Sequence, residues 1–239
     1  MDRVVAYLAL QESMLLSGEA ALHAGERSAV HKARVGARRA RSTLQTFSDW
    51  FAPVPRDRAV VALREYAGRL APVRDLQVLR ETVAEHAGGE LADWALGELD
   101  AQIEAAWPLA ARTVRMAPAT WLGALPPGPR AATTTEQASF ARAARRVERR
   151  LARAGDDTER LHDTRKAAKR ARYAAEALGL TDEVDRFEAV QEALGHHRDL
   201  LSAAHWVTAV APPPLDAAAA ELAARLRADA ADVRRGAVL

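Results

Sequence analysis

The chain has 239 residues, with 34 Lys+Arg against 32 Asp+Glu for a formal charge of +2, 49% hydrophobic residues and no cysteine. That composition supplies enough apolar side chains for a sizeable core and excludes disulfides, thiolate catalysis, Fe–S clusters and Cys-ligated zinc. Only three of the 34 basic residues are lysines, Lys32, Lys166 and Lys169, so the positive charge is carried by arginine.

Alanine recurs throughout, glycine and proline are sparse and β-branched runs are short, so the predicted fold class is all-α. Helices are expected over Asp2–Leu22, Ser28–Trp50, Arg56–Leu70, Asp75–His86 and Glu90–Met116 in the first half. The second half carries Glu136–Ala154, Asp157–Leu178, Asp182–Leu194, Asp199–Val210 and Leu215–Arg235. Their ends are set by Gly25, Pro53 and Pro55, Gly88-Gly89, Gly155, Gly179 and Pro212-Pro213-Pro214. The N-terminal Val4–Leu10 stretch is broken by Gln11 and Glu12 and does not read as a signal peptide. No uncharged apolar run approaches the roughly 18–20 residues of a membrane helix. A soluble, cytoplasmic protein without a membrane partner is expected.

The densest breakers, Pro126-Pro127-Gly128-Pro129 and Thr133-Thr134-Thr135, fall within 118–135 and predict the longest connection in the chain. It separates a first helical repeat, 1–117, from a second, 136–239, within a single domain spanning 1–239. The repeat is visible in register. His31, Arg34, Arg38, Arg39 and Arg41 each lie 131 residues before His162, Arg165, Lys169, Arg170 and Arg172. A further pair, Leu70 to Leu76 against Leu194 to Leu200, is offset by 124 and places Arg74-Asp75 against Arg198-Asp199. The difference of seven residues is an ordinary change of loop length.

At about 100° per residue, His31, Arg34, Arg38 and Arg41 share a stripe about 80° wide, while Arg39 falls off it. His162, Arg165, Lys169 and Arg172 repeat the stripe, with Lys166 and Tyr173 close to the same side. From Arg27 to Ser42 there are six Lys/Arg and no acidic residue. Like charges at these spacings repel, so either carboxylates of other helices or an external polyanion must supply the negative charge. Asp75 and Asp199 are candidate carboxylates, as is the acidic segment Asp182–Glu192. Each row rises about 15 Å, which suits a linear phosphate chain, and the planar arginine fork matches phosphate oxygens. No Walker-type or dinucleotide fingerprint is present. A third basic run, Arg142, Arg145, Arg146, Arg149, Arg150 and Arg153, has no counterpart in the first helix; it reads equally as a solvated face or as an extension of the anion site.

These residues resemble the CHAD domain, an α-helical family named for its histidines. Its His-x-x-Arg-Val-x-x-Arg-Arg-x-Arg-Ser signature is matched from His31 to Ser42, and its second element from His162 to Tyr173. The Leu-x-x-x-Arg-Asp pattern is matched at Leu70–Asp75 and Leu194–Asp199. Ala40 stands where the family often has leucine, and Pro72-Val73 where it usually has leucine-glycine. The resemblance implies two four-helix bundles related by pseudo-twofold symmetry, with the basic helices lining a central cavity or pore. It implies binding of inorganic polyphosphate and association with polyphosphate granules. Carried onto this chain, the binding residues are His31, Arg34, Arg38, Arg39, Arg41, His162, Arg165, Lys166, Lys169, Arg170 and Arg172, with Arg74 and Arg198 as outlying members.

The expected function is therefore non-enzymatic polyphosphate binding, with no catalytic residue, cofactor or metal. Two alternatives draw on the same charges. A polyphosphate or triphosphate hydrolase needs a metal or a base; His31 and His162 sit among cations, and His196-His197 with Glu192 fit capping or packing better than ligation. Asp75 and Asp199, each directly after an arginine near an expected turn, read as N-caps or ion-pair partners rather than acid–base groups. General nucleic-acid binding is disfavoured because aromatic content is only 5%, leaving few platforms for bases.

Overall fold

The structure, a computed structural model, describes residues 2–113, 122, 125–128, 134–155 and 157–237. Among the described residues there are nine α-helices and no strand. They are α1 (Asp2–His23), α2 (Ala29–Thr46), α3 (Pro53–Arg69), α4 (Ala71–His86), α5 (Gly89–Thr113), α6 (Glu136–Ala154), α7 (Thr158–Leu178), α8 (Thr181–Val210) and α9 (Asp216–Ala237). Short 3-10 turns cover Ser48–Trp50 and Pro213–Leu215. The all-α class is as the composition predicts. Met116, the expected end of the fifth helix, and most of the expected connection 118–135 lie outside the described residues.

Two differences from the predicted elements bear on function. The expected helices at 182–194 and 199–210 are one helix, α8, which continues through Gly195-His196-His197. Asp199 therefore lies inside a helix, and Asp75 lies inside α4, so neither aspartate is an N-cap. Packing offsets the helix cost of Gly195: Leu194, His197 and Leu200 are buried, and the His197 Nδ1–H donates to the Ala230 carbonyl at 2.8 Å. That contact bears out a packing role for His197.

The chain forms two compact units, residues 1–71 with 109–188, and residues 72–108 with 189–239. Each draws segments from both sequence repeats. In the first unit α1 buries Val4, Leu8, Gln11, Leu15, Gly18 and Leu22, a spacing that keeps one face towards α2. The facing side of α2 is made of small residues, Ala33, Gly36, Ala37 and Ala40. A Cβ built on Gly18 would stand 3.1 Å from the Ala33 Cβ, and one on Gly36 would stand 3.3 Å from Leu15 Cγ. α7 is built likewise, burying Ala167, Ala168, Ala171, Ala174 and Ala175, and it packs against α1, α2 and α6. The two motif helices are thus neighbours in space. Part of the connection between the repeats docks on the same unit, where Ala52 N–H donates to Pro126 O at 3.0 Å and Gly128 N–H to Trp50 O at 2.8 Å. Only glycine fits there, since a Cβ at 128 would meet Asp49 O at 2.8 Å.

The second unit has its own core, in which Val83, Leu91, Leu99, Leu200, Val207, Leu222 and Leu226 are buried together. Trp94 and Trp206 stack beside it, with ring centroids 5.8 Å apart.

Candidate functional site

The site begins with how α2 and α7 are started and seated. Asp157 caps α7, its Oδ1 accepting from the N–H groups of Glu159 and Arg160 at 2.9 Å each. Gly179 ends α7 at φ 70°, a left-handed conformation that favours glycine. The Arg3 Nη1 donates to the Leu178 carbonyl at 2.8 Å and ties that end to α1. With alanine and glycine on their buried faces, α2 and α7 approach closely and their arginine stems rise from adjacent axes.

The predicted site residues then sort into groups. On α2, His31 is exposed and Arg34, Arg38, Arg39 and Arg41 are half-buried; on α7, Lys166 is exposed and His162, Arg165, Lys169, Arg170 and Arg172 are half-buried. All eleven belong to the first unit, whereas Arg74 and Arg198 belong to the second.

Arg39 and Arg172 are held by carboxylates. Arg39 Nη2 donates to Glu176 Oε1 at 3.0 Å, Arg172 Nε donates to the same oxygen at 3.0 Å, and Arg172 Nη2 reaches Glu188 at 2.7 Å. The Tyr7 hydroxyl donates to Glu176 Oε2, and burial together with that carboxylate pushes the phenol above its ordinary range. The Arg39 guanidinium also lies 5.6 Å from the Tyr173 ring centroid. Glu188 belongs to the acidic segment read as a possible internal counter-charge, and for Arg172 it is one. Lys166 pairs with Asp163 at 3.3 Å on an exposed surface, and in the second unit Arg74 pairs with Glu81 at 2.9 Å.

A second group lies in the repulsive field of other cations. Burial lowers the affinity of the Arg41 guanidinium for its proton, and the positive charges of Arg38 and Arg64 lower it further. Arg170 is shifted the same way by burial and then by Arg146, Arg41 and Arg150. Arg170 Nη2 donates to Gln45 Oε1 at 2.8 Å, a neutral acceptor. Among the described residues neither Arg38 nor Arg41 forms an ion pair. Four helices, α2, α3, α6 and α7, thus bring guanidinium groups into one another's field. Such an arrangement is repulsive by itself and gains stability from any bound anion.

Among the described residues no cluster of three or more His, Asp or Glu is placed to hold a metal ion. No helix among them is long and apolar enough to cross a membrane.

The profile of the CHAD domain matches residues 6–208. The chain belongs to the CHAD domain family. No curated protein matches the sequence. Among solved structures it is similar to PptA from Streptomyces chartreusis, with 20% identity, a TM-score of 0.79, and coverage of 99% of this chain and 98% of that one. It is also similar to the CHAD domain from the plant Ricinus communis, with 23% identity, a TM-score of 0.77, and coverage of 99% and 90%. Both likenesses are to the fold.

In this CHAD domain chain the cation cluster includes residues that sequence reasoning missed or left open. Arg64 carries no sequence signal, because it sits on α3 beside Glu65 in an ordinary mixed-charge run. Arg146 and Arg150 belong to the third basic run, and their effect on Arg170 ties that run to the motif helices. On α2 Arg39 is the motif arginine that lies off the helical stripe, and it is the one that Glu176 holds.

Proposed function

We propose that this chain binds inorganic polyphosphate without acting on it, through the cationic face that α2 and α7 share. The observation that carries the reading is the set of half-buried guanidinium groups on α2 and α7, of which Arg170 meets the neutral Gln45 Oε1 at 2.8 Å and Arg38 and Arg41 form no ion pair among the described residues, with Arg64, Arg146 and Arg150 adding to their positive field. A linear chain of phosphoryl groups offers one negative charge after another along such a row, and each guanidinium engages it with charge-assisted hydrogen bonds. Aromatic content of 5% leaves little for nucleobases to stack on, which favours an inorganic chain over a nucleic acid. Association with polyphosphate granules would follow from the same affinity.

The test is competition for labelled long-chain polyphosphate by unlabelled polyphosphate, duplex DNA and ATP at matched phosphate and salt. Polyphosphate is expected to compete best, and a preference for DNA overturns the reading. Release of orthophosphate with Mg²⁺ or Mn²⁺ would show a hydrolase instead. A triple variant, Arg38→Glu, Arg41→Glu and Arg170→Glu, is expected to lose at least about tenfold in affinity, since a hydrogen bond to a charged group contributes roughly 1.5–3 kcal/mol. Helicity should be retained, because the substitutions relieve repulsion. Unchanged binding by the folded variant would remove these residues from the site.

A further inference from the structure

The third basic run, on α6, faces a groove of ≈ 700 Å³ between α6 and the first turns of α7, lined by Arg146, Arg149, Arg150, Arg153, Arg160 and Asp163. The four α6 residues follow the i, i+3, i+4, i+7 spacing that stacks side chains on one helix face over about 10 Å. Five guanidinium groups therefore surround a space with one carboxylate. That carboxylate is already engaged: Asp163 pairs with Lys166 at 3.3 Å and with Arg150 Nη2 at 3.6 Å, while Arg150 Nη1 donates to the Asp163 backbone carbonyl at 2.7 Å. Glu148, the acidic residue within the arginine run of α6, pairs with Arg186 of α8 at 2.9 Å and so does not neutralise the groove.

Two features identify the kind of ligand. The volume falls within the range of small-molecule sites and exceeds what a single phosphate ion fills. No aromatic side chain lines it, so a nucleobase would find no stacking surface, whereas a run of phosphoryl groups would find arginine on both walls. The groove also adjoins the face described above, because Arg146 and Arg150 line it and both act on Arg170 of α7, which in turn feels Arg41 of α2.

We propose that the α6–α7 groove is a second anion-binding segment, continuous with the α2–α7 face, so that one linear polyphosphate chain occupies both. This rests on the polyphosphate reading and extends it by assigning a chain-length preference. Two linked segments convert the second contact into an intramolecular one, so affinity must rise with ligand length beyond the span of either segment.

The experiment compares tripolyphosphate with long-chain polyphosphate on the full chain, at constant salt and with concentrations expressed per molecule of ligand. The groove variant is Arg149→Glu/Arg153→Glu, both exposed residues that do not act on Arg170. The Arg149→Gln/Arg153→Gln version is the second variant should charge reversal disturb folding, with far-UV circular dichroism as the check. The native chain is expected to gain about 10²-fold or more in affinity from the short to the long ligand. The groove variants are expected to keep native affinity for tripolyphosphate within about threefold, the α2–α7 face being intact, and to lose at least tenfold of the length gain. A groove variant with the native length dependence overturns the proposal while leaving the polyphosphate reading in place. Equal affinity of the native chain for both ligands also overturns it. If the native chain binds neither, the polyphosphate reading itself fails, and the groove proposal falls with it.

Discussion

Glu176 accepts from Arg39, Arg172 and Tyr7, and its side chain is only 14% exposed. One carboxylate compensates two guanidinium groups that would otherwise add to the repulsion between α2 and α7. Removing one partner of a buried ionic network leaves the others desolvated and uncompensated, at a cost of roughly 3–5 kcal/mol. Glu176→Ala is therefore expected to lower Tm by about 6–20 °C in a thermal melt, using about 2–4 °C per kcal/mol for a chain of this size. Glu221→Ala is the matched control, because its pair with Arg225 is exposed on both sides and its loss should change stability by less than about 1 kcal/mol. Equal effects from the two substitutions would remove Glu176 from the role assigned to it. The sequence discloses half of this arrangement. The helical wheel separates Arg39 from the stripe, and the i,i+4 spacing of Arg172 and Glu176 on α7 offers their pairing locally. The contact of Arg172 with Glu188 of α8, and the sharing of Glu176 with Arg39 and Tyr7, are tertiary facts with no local signature.

The helices themselves are legible where a breaker coincides with an absence of packing, and less so where packing overrides the breaker. Gly155 and Gly179 end α6 and α7 with φ of 52° and 70°, and the ends expected from them hold to the residue. Gly195 is the opposite case, a glycine carried through α8 because buried neighbours hold the helix together on both sides. The same contrast predicts opposite signs for two substitutions. Gly18 sits where α1 meets α2, and Gly18→Leu would force atoms into space that Ala33 already fills, costing roughly 1–3 kcal/mol. Gly97 lies inside α5 with no atom within 4 Å of an added Cβ, so Gly97→Ala should stabilise by about 0.5–1 kcal/mol through backbone entropy alone. Urea denaturation of the two variants checks both signs, and a destabilised Gly97→Ala would mean that α5 is not packed as described.

For the molecule as a whole, the formal charge of +2 is a poor guide to what it attracts. Carboxylates and guanidinium groups nearly cancel in number, yet the carboxylates are spent on particular partners, Glu176 on Arg39 and Arg172, Asp100 on Arg80, Glu81 on Arg74 and Glu148 on Arg186. The cations left in one another's field are a local excess that the total conceals. Polyanion binding to such a site releases counterions according to the charges engaged and not the sum over the chain. With the six arginines of the proposed face engaged, the logarithm of the binding constant should fall against the logarithm of salt concentration with a slope of about −4, taking roughly 0.7 per charge for a single-stranded polyanion. Between about 50 and 200 mM salt the affinity for long-chain polyphosphate should then drop by two to three orders of magnitude. A chain answering only to its net charge would show a slope of about −1 and a drop of less than tenfold. Titration at several salt concentrations separates the two. The triple variant at Arg38, Arg41 and Arg170 should flatten the slope by about 2, because its three charges no longer meet phosphate.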